Sequence, residues 1–251
     1  MIINLAGKNA LVTGGSRGLG SGIVRSLASA GANVAINFNQ ASDRAEQMAQ
    51  EAQEFGVKAI TVQADLTIVE EAERMIREVS ADFGSLDILV NNAGRNWVTS
   101  IMDMTVEDWD RTIALNLRAH FLTSKAVLPG MMEKGWGRII GITSISGQRG
   151  GFSGDVDYSA AKAGIMGFTR CLARLVATDG ITVNAVAPGY FATEHTKIVP
   201  SALLQQLIDN VPIKRMGTLD ECGAVVAFLA SDAASYITGE VMSVNGGAHI
   251  A

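Results

Sequence analysis

Cysteine and proline are scarce in this 251-residue chain, at two and four residues. Cys171 and Cys222 make neither a disulfide framework nor a C-x-x-C ligand pair. That excludes a stapled secreted scaffold and points to a reducing compartment, with the cytoplasm as the expected location. Positive charge is short as well: 20 Lys and Arg face 25 Asp and Glu, for a net charge of -5, with no basic run. A nucleic-acid partner is therefore not expected. No apolar stretch approaches the roughly 18 residues of a membrane span, and the first residues lack the basic start and apolar core of a signal peptide, so no membrane association is expected. Three histidines, His120, His195 and His249, are scattered without ligand-pair spacing, and no metal is expected. Linkers, low-complexity tracts and internal repeats are also missing, which predicts a single domain over 1–251.

What remains is a chain that is 48% hydrophobic, with 27 Gly. Short apolar runs at 9–13, 33–37, 59–63, 87–91, 138–143, 182–187 and 241–244 alternate with helical patterns at 18–30, 42–55, 69–83, 106–134, 158–178 and 219–231. The runs are rich in Val, Ile and Ala with little polar alternation, as in strands buried on both faces. The predicted fold is α/β: a doubly wound, Rossmann-like, seven-stranded parallel sheet with helices on both faces. One long interruption, 189–217, carries Pro200, Pro212 and a short helical stretch near 201–210, and reads as a lid over a substrate.

The first strand runs into Thr13-Gly14-Gly15-Ser16-Arg17-Gly18-Leu19-Gly20, and a helix follows. Gly14 permits the tight turn, Gly18 lets backbone N–H groups approach a pyrophosphate at the positive helix end, and Gly20 lets the helix lie close to the sheet. A dinucleotide fits such a site. Where the second strand ends, Asn37-Phe38-Asn39 stands in place of the acid that would bind an unphosphorylated ribose and repel a 2′-phosphate. Arg17, with Arg44 as a second cation, could pair with that phosphate, so NADP(H) is expected in preference to NAD(H).

Tyr158 and Lys162 are four apart on a predicted helix and share one face, while Ser144 ends the fifth strand at the carboxyl edge where such sheets bind ligands. The three can converge. An ammonium beside a phenol favours the phenolate, so Lys162 is expected to lower the Tyr158 pKa and ready it for proton exchange with an alcohol. Ser144 could hold the carbonyl oxygen.

Together with Thr13-Gly-x-x-x-Gly-x-Gly20, Asn91-Asn92-Ala93-Gly94, Asn116, Pro188-Gly189 and Val244-Asn245-Gly246-Gly247, these residues make the chain resemble the short-chain dehydrogenase/reductase family over nearly its whole length. The resemblance implies that Tyr158 is the general acid of ketone reduction and that Lys162 binds the nicotinamide ribose and tunes Tyr158. It further implies that Ser144 polarises the carbonyl and that Asn116 interrupts a helix to hold a relay water. It assigns Asp65, with Leu66, to the adenine end, and Asn91, Ala93 and Gly94 to the cofactor floor. Pro188, Gly189 and Thr193 go to the nicotinamide wall, and Ser16 and Leu19 to the phosphate loop.

Within the family the chain looks most like 3-oxoacyl-[acyl-carrier-protein] reductases, through Gly164-x-x-Gly-Phe168 and the segment Gly180 to Gly189. An acyl carrier protein as partner is doubtful, because Gly135 and Asp179 stand where basic residues flanking the site are looked for, with Lys134, Arg138 and Arg174 as partial substitutes. The 146–157 loop also looks one residue long. Arg95, Trp97 and Arg149, with Tyr190 and His195 of the lid, are the candidate substrate-lining residues. Two guanidinium groups would suit a sugar, a sugar acid or a small oxo acid, the alternative substrate class. A non-catalytic NADP(H)-binding sensor is the remaining alternative, against which the intact Ser144, Tyr158, Lys162 and Asn116 count. Apolar residues around much of the helices near Ala114 to Leu122 and Ala163 to Leu175, together with the resemblance, predict a homotetramer.

Overall fold

The structure, a computed structural model, describes residues 3–151, 155–194 and 201–250. Seven strands form one parallel sheet: β1 (Asn9–Val12), β2 (Asn33–Phe38), β3 (Ala59–Gln63), β4 (Ile88–Asn91), β5 (Gly137–Ile142), β6 (Ile181–Pro188) and β7 (Val241–Val244). Their order is β3-β2-β1-β4-β5-β6-β7. The order reverses between β1 and β4, and such a switch point opens a crevice at the carboxyl ends of the strands.

The strands β1, β2, β4, β5 and β6 are buried almost throughout because helices cover both faces. Period-2 geometry divides their side chains between the two cores. Ala10, Val12, Val34 and Ile36 pack with Ile23, Leu27 and Val226 from α1 (Gly18–Ser29) and α9 (Leu219–Ala230). Leu11, Ala35 and Leu89 pack on the other face with Met75, Val127 and Val176 from α3 (Val69–Phe83), α5 (Ala119–Lys134) and α7 (Val156–Val176). The edge strands β3 and β7 depart from the expected double-sided burial, because an outer strand has a neighbour on one side alone. Among the described residues no helix is long and apolar enough to cross a membrane.

The helical pattern at 106–134 is not one continuous helix. α4 (Val106–Ile113) passes into a π turn at Ala114–Arg118 before α5 begins. A further short helix, α6 (Ile145–Arg149), follows β5 and has no counterpart in the sequence pattern. α2 (Ser42–Gln53) links β2 to β3, and α8 (Ser201–Asp209) lies within the segment read as a lid. That segment is tied at its two ends: Phe191 bridges Gly217, the Ala192 N–H donates to the Gly217 carbonyl at 3.0 Å, and the Gly217 N–H donates to the Tyr190 carbonyl at 2.9 Å.

Candidate active site

The glycine loop is held from two sides. Thr13 Oγ1 accepts from the Asn92 and Ala93 N–H groups, each at 2.9 Å. Asn92 Nδ2 donates to the carbonyls of Thr13 and Gly14 at 2.9 and 3.0 Å. These bonds stitch the end of β1 to the end of β4 and shape the crevice between them. The sequence quotes both residues within its motifs, yet their roles lie in partners some 80 positions away. Gly14 takes a left-handed φ of +60°, and a Cβ on Gly20 would lie 2.3 Å from the Gly14 carbonyl oxygen, so no other residue fits there. α1 starts from Arg17 without a side-chain cap and without an acid in its first turn. Its N–H groups and positive dipole end are thus left to an anion, and the loop fits a dinucleotide pyrophosphate. Ser16, Gly18 and Leu19 are half-buried in this loop and Arg17 is exposed.

The residues at the end of β2 are turned to other work. Asn37 is buried; its Oδ1 accepts from the Gly14 N–H at 3.1 Å, and its Nδ2 donates to the carbonyls of Phe38, Val62 and Ala64. Phe38 packs into the core. Asn39 Nδ2 donates to Asp65 Oδ2 at 3.0 Å, while Asp65 Oδ1 accepts from the N–H and the hydroxyl of Thr67. Burial opposes ionisation of Asp65, but the bonds from Thr67 and Asn39 outweigh it and leave its pKa below the ordinary carboxylate value. Leu66 is buried beside it. Arg44 of α2, the expected second cation, pairs with Glu194 in the segment after β6.

On the β4 side the Asn91 side chain points into the protein, accepting from Thr123 Oγ1 at 2.6 Å and donating to Ser124 Oγ at 3.0 Å. Its backbone, with Ala93 and Gly94, remains as the floor. A Cβ on Gly94 would lie 2.6 Å from Asn116 Oδ1 and 3.1 Å from Lys162 Nζ, so this glycine is where those two side chains meet the floor.

Asn116 is 1% exposed within the π turn. Its Nδ2 donates to the carbonyls of Arg95 and Thr112, and its Oδ1 accepts from the Arg95 N–H at 3.2 Å. The bond back to Thr112 and the grip on Arg95 accompany the extra residue in the turn, a feature that recurs at functional sites. Lys162 Nζ donates to the Ile142 carbonyl at 2.9 Å and lies 5.5 Å from the centre of the Tyr158 ring. Thr143 Oγ1 donates to the Lys162 carbonyl at 2.6 Å and so seats α7 against the end of β5. Ser144 caps α6, accepting from the Ser146 N–H, and shares a hydrogen bond with Tyr158. Ser144, Tyr158, Lys162 and Asn116 are thereby brought together at the carboxyl edge of β4 and β5.

The electrostatics differ from the expected ones. Burial pushes the Tyr158 phenol up to about 12; the Ser144 hydrogen bond works against this and the Asp155 charge adds to it. Burial pushes Lys162 down to about 8. The expected lowering by Lys162 is outweighed, because desolvation of the buried phenolate is the largest influence on Tyr158. At neutral pH Tyr158 is therefore an un-ionised phenol.

The candidate substrate residues divide into two groups. Arg95 lies over the Trp97 ring at 5.2 Å, with Arg111 over the same ring at 4.7 Å. Arg149 donates to the Ala248 carbonyl at 2.9 Å and to the Tyr190 hydroxyl at 3.2 Å. The two guanidinium groups thus have separate partners. Pro188 ends β6, and the Gly189 N–H donates to the Val244 carbonyl. Thr193 is half-buried just beyond, and His195 lies outside the described residues. Asp155 is a residue the sequence did not single out. It is buried, its Oδ2 accepts from Asn96 Nδ2 at 3.0 Å, and its Oδ1 has no partner among the described residues.

Gly135 and Asp179 do not flank this chain's own site. They follow α5 and α7 and precede β5 and β6, so they stand at the amino edge of the sheet, opposite Ser144 and Tyr158. A helix between parallel strands runs antiparallel to them, which places its far end there. Two of the expected substitutes are also engaged: Lys134 pairs with the buried Asp87, and the buried Arg138 pairs with Asp232.

Known proteins share this arrangement. Residues 14–249 match the family model described as Enoyl-(Acyl carrier protein) reductase. The 3-oxoacyl-[acyl-carrier-protein] reductase FabG of Staphylococcus epidermidis is 43% identical over 97% of this chain and 99% of its own length. This chain belongs to the short-chain dehydrogenase/reductase family. Nodulation protein G of Azospirillum brasilense is 42% identical over 96% of this chain and 97% of its own. The structure of a doubly substituted Serratia marcescens short-chain dehydrogenase/reductase superposes with a TM-score of 0.92 at 38% identity, covering 97% of this chain and 98% of that one. As a family member the chain is an oxidoreductase acting on CH–OH groups with a nicotinamide cofactor.

Proposed function

We propose that this short-chain dehydrogenase/reductase is an NADP(H)-dependent reductase of 3-oxoacyl thioesters. The observation that carries the chemistry is the gathering of Ser144, Tyr158, Lys162 and Asn116 around the floor at Gly94. The cofactor's phosphates would rest on the N–H groups of Gly18 to Gly20, and its nicotinamide between Gly94, Tyr158 and the wall of Pro188, Gly189 and Thr193. Bound there, it supplies the hydride to the ketone carbon. The chain handles the proton. Ser144 Oγ orients the ketone oxygen, and the Tyr158 hydroxyl donates its proton to that oxygen as the alcohol forms. Lys162, held by Ile142, binds the ribose and favours the phenolate so produced, and Asn116 relays the replacement proton. Alcohol oxidation is the same path reversed.

NADP(H) is supported by Arg17, which is exposed beside the phosphate loop and has no ion-pair partner among the described residues, and by the lack of a free carboxylate at the end of β2. The thioester is supported by the names of the curated relatives. A second reading, reduction of a sugar, a sugar acid or a small oxo acid, is favoured by Asp155, a buried carboxylate whose charge acts on Tyr158 and whose Oδ1 has no hydrogen-bond partner among the described residues, a polar group an acyl chain would not call for. The rest of the reading is a single cytoplasmic domain with the 189–217 segment as lid, acting as a homotetramer. The half-buried edge strand β7 and the exposed Phe121, Leu175 and Ile250 support further subunit contacts.

The test is NADPH oxidation by the purified protein against an acyl thioester ketone and a panel of sugars and oxo acids. Turnover of the thioester, falling at least about 100-fold in Tyr158→Phe with NADPH binding retained, is expected. Full activity in that variant would refute the mechanism, and turnover confined to small polar carbonyls would favour the second reading.

A further inference from the structure

His120 stands one helical turn beyond Asn116, at the start of α5, and is 4% exposed. Its ring meets Phe168 edge-on at 5.0 Å. A Cβ on Gly141 would fall 2.5 Å from its Cε1, so β5 withholds a side chain where the imidazole lies. The residue after Gly141 is Ile142, whose carbonyl holds Lys162. The imidazole thus sits between the anchor of Lys162 and the π turn of Asn116.

Its Nε2 is buried and has no hydrogen-bond partner among the described residues, and a buried polar atom left unpaired is costly. His120 also lines a cavity of about 10 Å³ together with Asn116, Thr13, Asn91, Leu66 and Ala93. That is close to the room one water molecule needs, and a buried water is held by two to four polar partners of the kind these residues offer. Burial, with the nearby Lys162 charge, keeps the imidazole neutral down to about pH 3. A neutral ring can both donate and accept.

We propose that His120 and Asn116 share one buried water in this cavity, and that this water fixes the Asn116 side chain beside Lys162. His120 is then a positioning residue for proton transfer. The role in turnover rests on the reading of Tyr158, Lys162 and Asn116 as the proton path; the water itself does not. Leu66 and Ala93 would lie under the bound cofactor, which would seal the water in.

The test has two arms. In cofactor-free protein labelled at its histidines and asparagines, NMR should detect a bound water by its Overhauser effects to the His120 Cε1 proton and to the Asn116 side-chain amide, and the effect at the Asn116 amide should be lost in His120→Phe. In kinetics, His120→Phe should lower kcat about tenfold with KM for NADPH and ketone changed by less than about twofold. His120→Gln, which keeps a polar atom near Nε2, should recover most of the loss. A core-filling role would give neither the split nor the rescue. The proposal is overturned if no water contacts His120 in the wild type, or if folded His120→Phe keeps the wild-type kcat. Should His120→Phe not fold, the wild-type spectrum and His120→Gln decide. A wild type that reduces no ketone refutes the functional reading instead, and the water contact still decides whether His120 and Asn116 share this site.

Discussion

Asn37 Oδ1 accepts the Gly14 N–H at 3.1 Å, so the end of β2 holds the first turn of the phosphate loop in place. The same amide donates to the carbonyls of Phe38, Val62 and Ala64. Asn37→Ala would remove all of these side-chain bonds and leave the Gly14 N–H without its partner, although the Phe38 carbonyl keeps the Ala64 N–H. We expect a loss of about 2 kcal/mol in stability and weaker cofactor binding, measured by denaturant unfolding and by fluorescence titration with NADPH. Asn37→Ala with wild-type stability would show that the bonds do not hold the loop.

Arg17 lies at the start of α1 in extended backbone, its side chain exposed. Arg17→Ala should lower kcat/KM for NADPH about 10-fold to 100-fold and leave that for NADH within about twofold, because a guanidinium–phosphate pair is lost with one cofactor alone. Equal losses with both cofactors would count against the assignment to the 2′-phosphate.

Gly94 meets Asn116 and Lys162 at distances a methyl group cannot share. Gly94→Ala should displace both side chains and lower kcat by about tenfold or more, with far-UV circular dichroism unchanged. An active Gly94→Ala enzyme would mean that the floor at this point yields without disturbing the proton path.

His120 gives stability a pH dependence of known sign. Burial, then the Lys162 charge, lowers its folded pKa to about 3 from an ordinary 6.5, so the neutral ring stabilises the fold fully above pH 6.5. As pH falls from 6.5 towards 3 the unfolded chain binds a proton that the folded protein refuses, and that stability is lost. Between pH 7 and pH 4.5 the wild type should lose about 2 kcal/mol more than His120→Phe in urea unfolding. Parallel losses in the two proteins would show that the folded imidazole titrates normally.

The order of strands and helices was legible because burial on both faces forces continuous apolar runs, and the boundaries at β3, α3 and β7 coincide with the pattern. The π turn was not legible in composition, since Ala114-Leu115-Asn116 is ordinarily helical and the extra residue accompanies contacts to Arg95; an interruption at Asn116 was implied by the family resemblance alone. The short α6 was hidden in a Gly-rich stretch. At the site, the pairing of Tyr158 with Lys162 follows from helical spacing, a local property. The side-chain bonds of Asn37 and Asn91 do not: Asn37 reaches Gly14, 23 positions away, and Asn91 reaches Thr123 and Ser124, more than 30 positions away.

Composition and spacing alone therefore determined the α/β class, the glycine turn and the shared helix face of Tyr158 and Lys162, because periodicity and backbone sterics act over a few residues, while the roles of Ser144, Tyr158 and Lys162 were implied by the family resemblance. Tertiary structure alone decided which polar side chains are free and which are spent on holding loops. It also decided the direction in which two neighbouring groups shift: Tyr158 is raised and Lys162 lowered by burial, and burial is a property of what the whole chain packs around them.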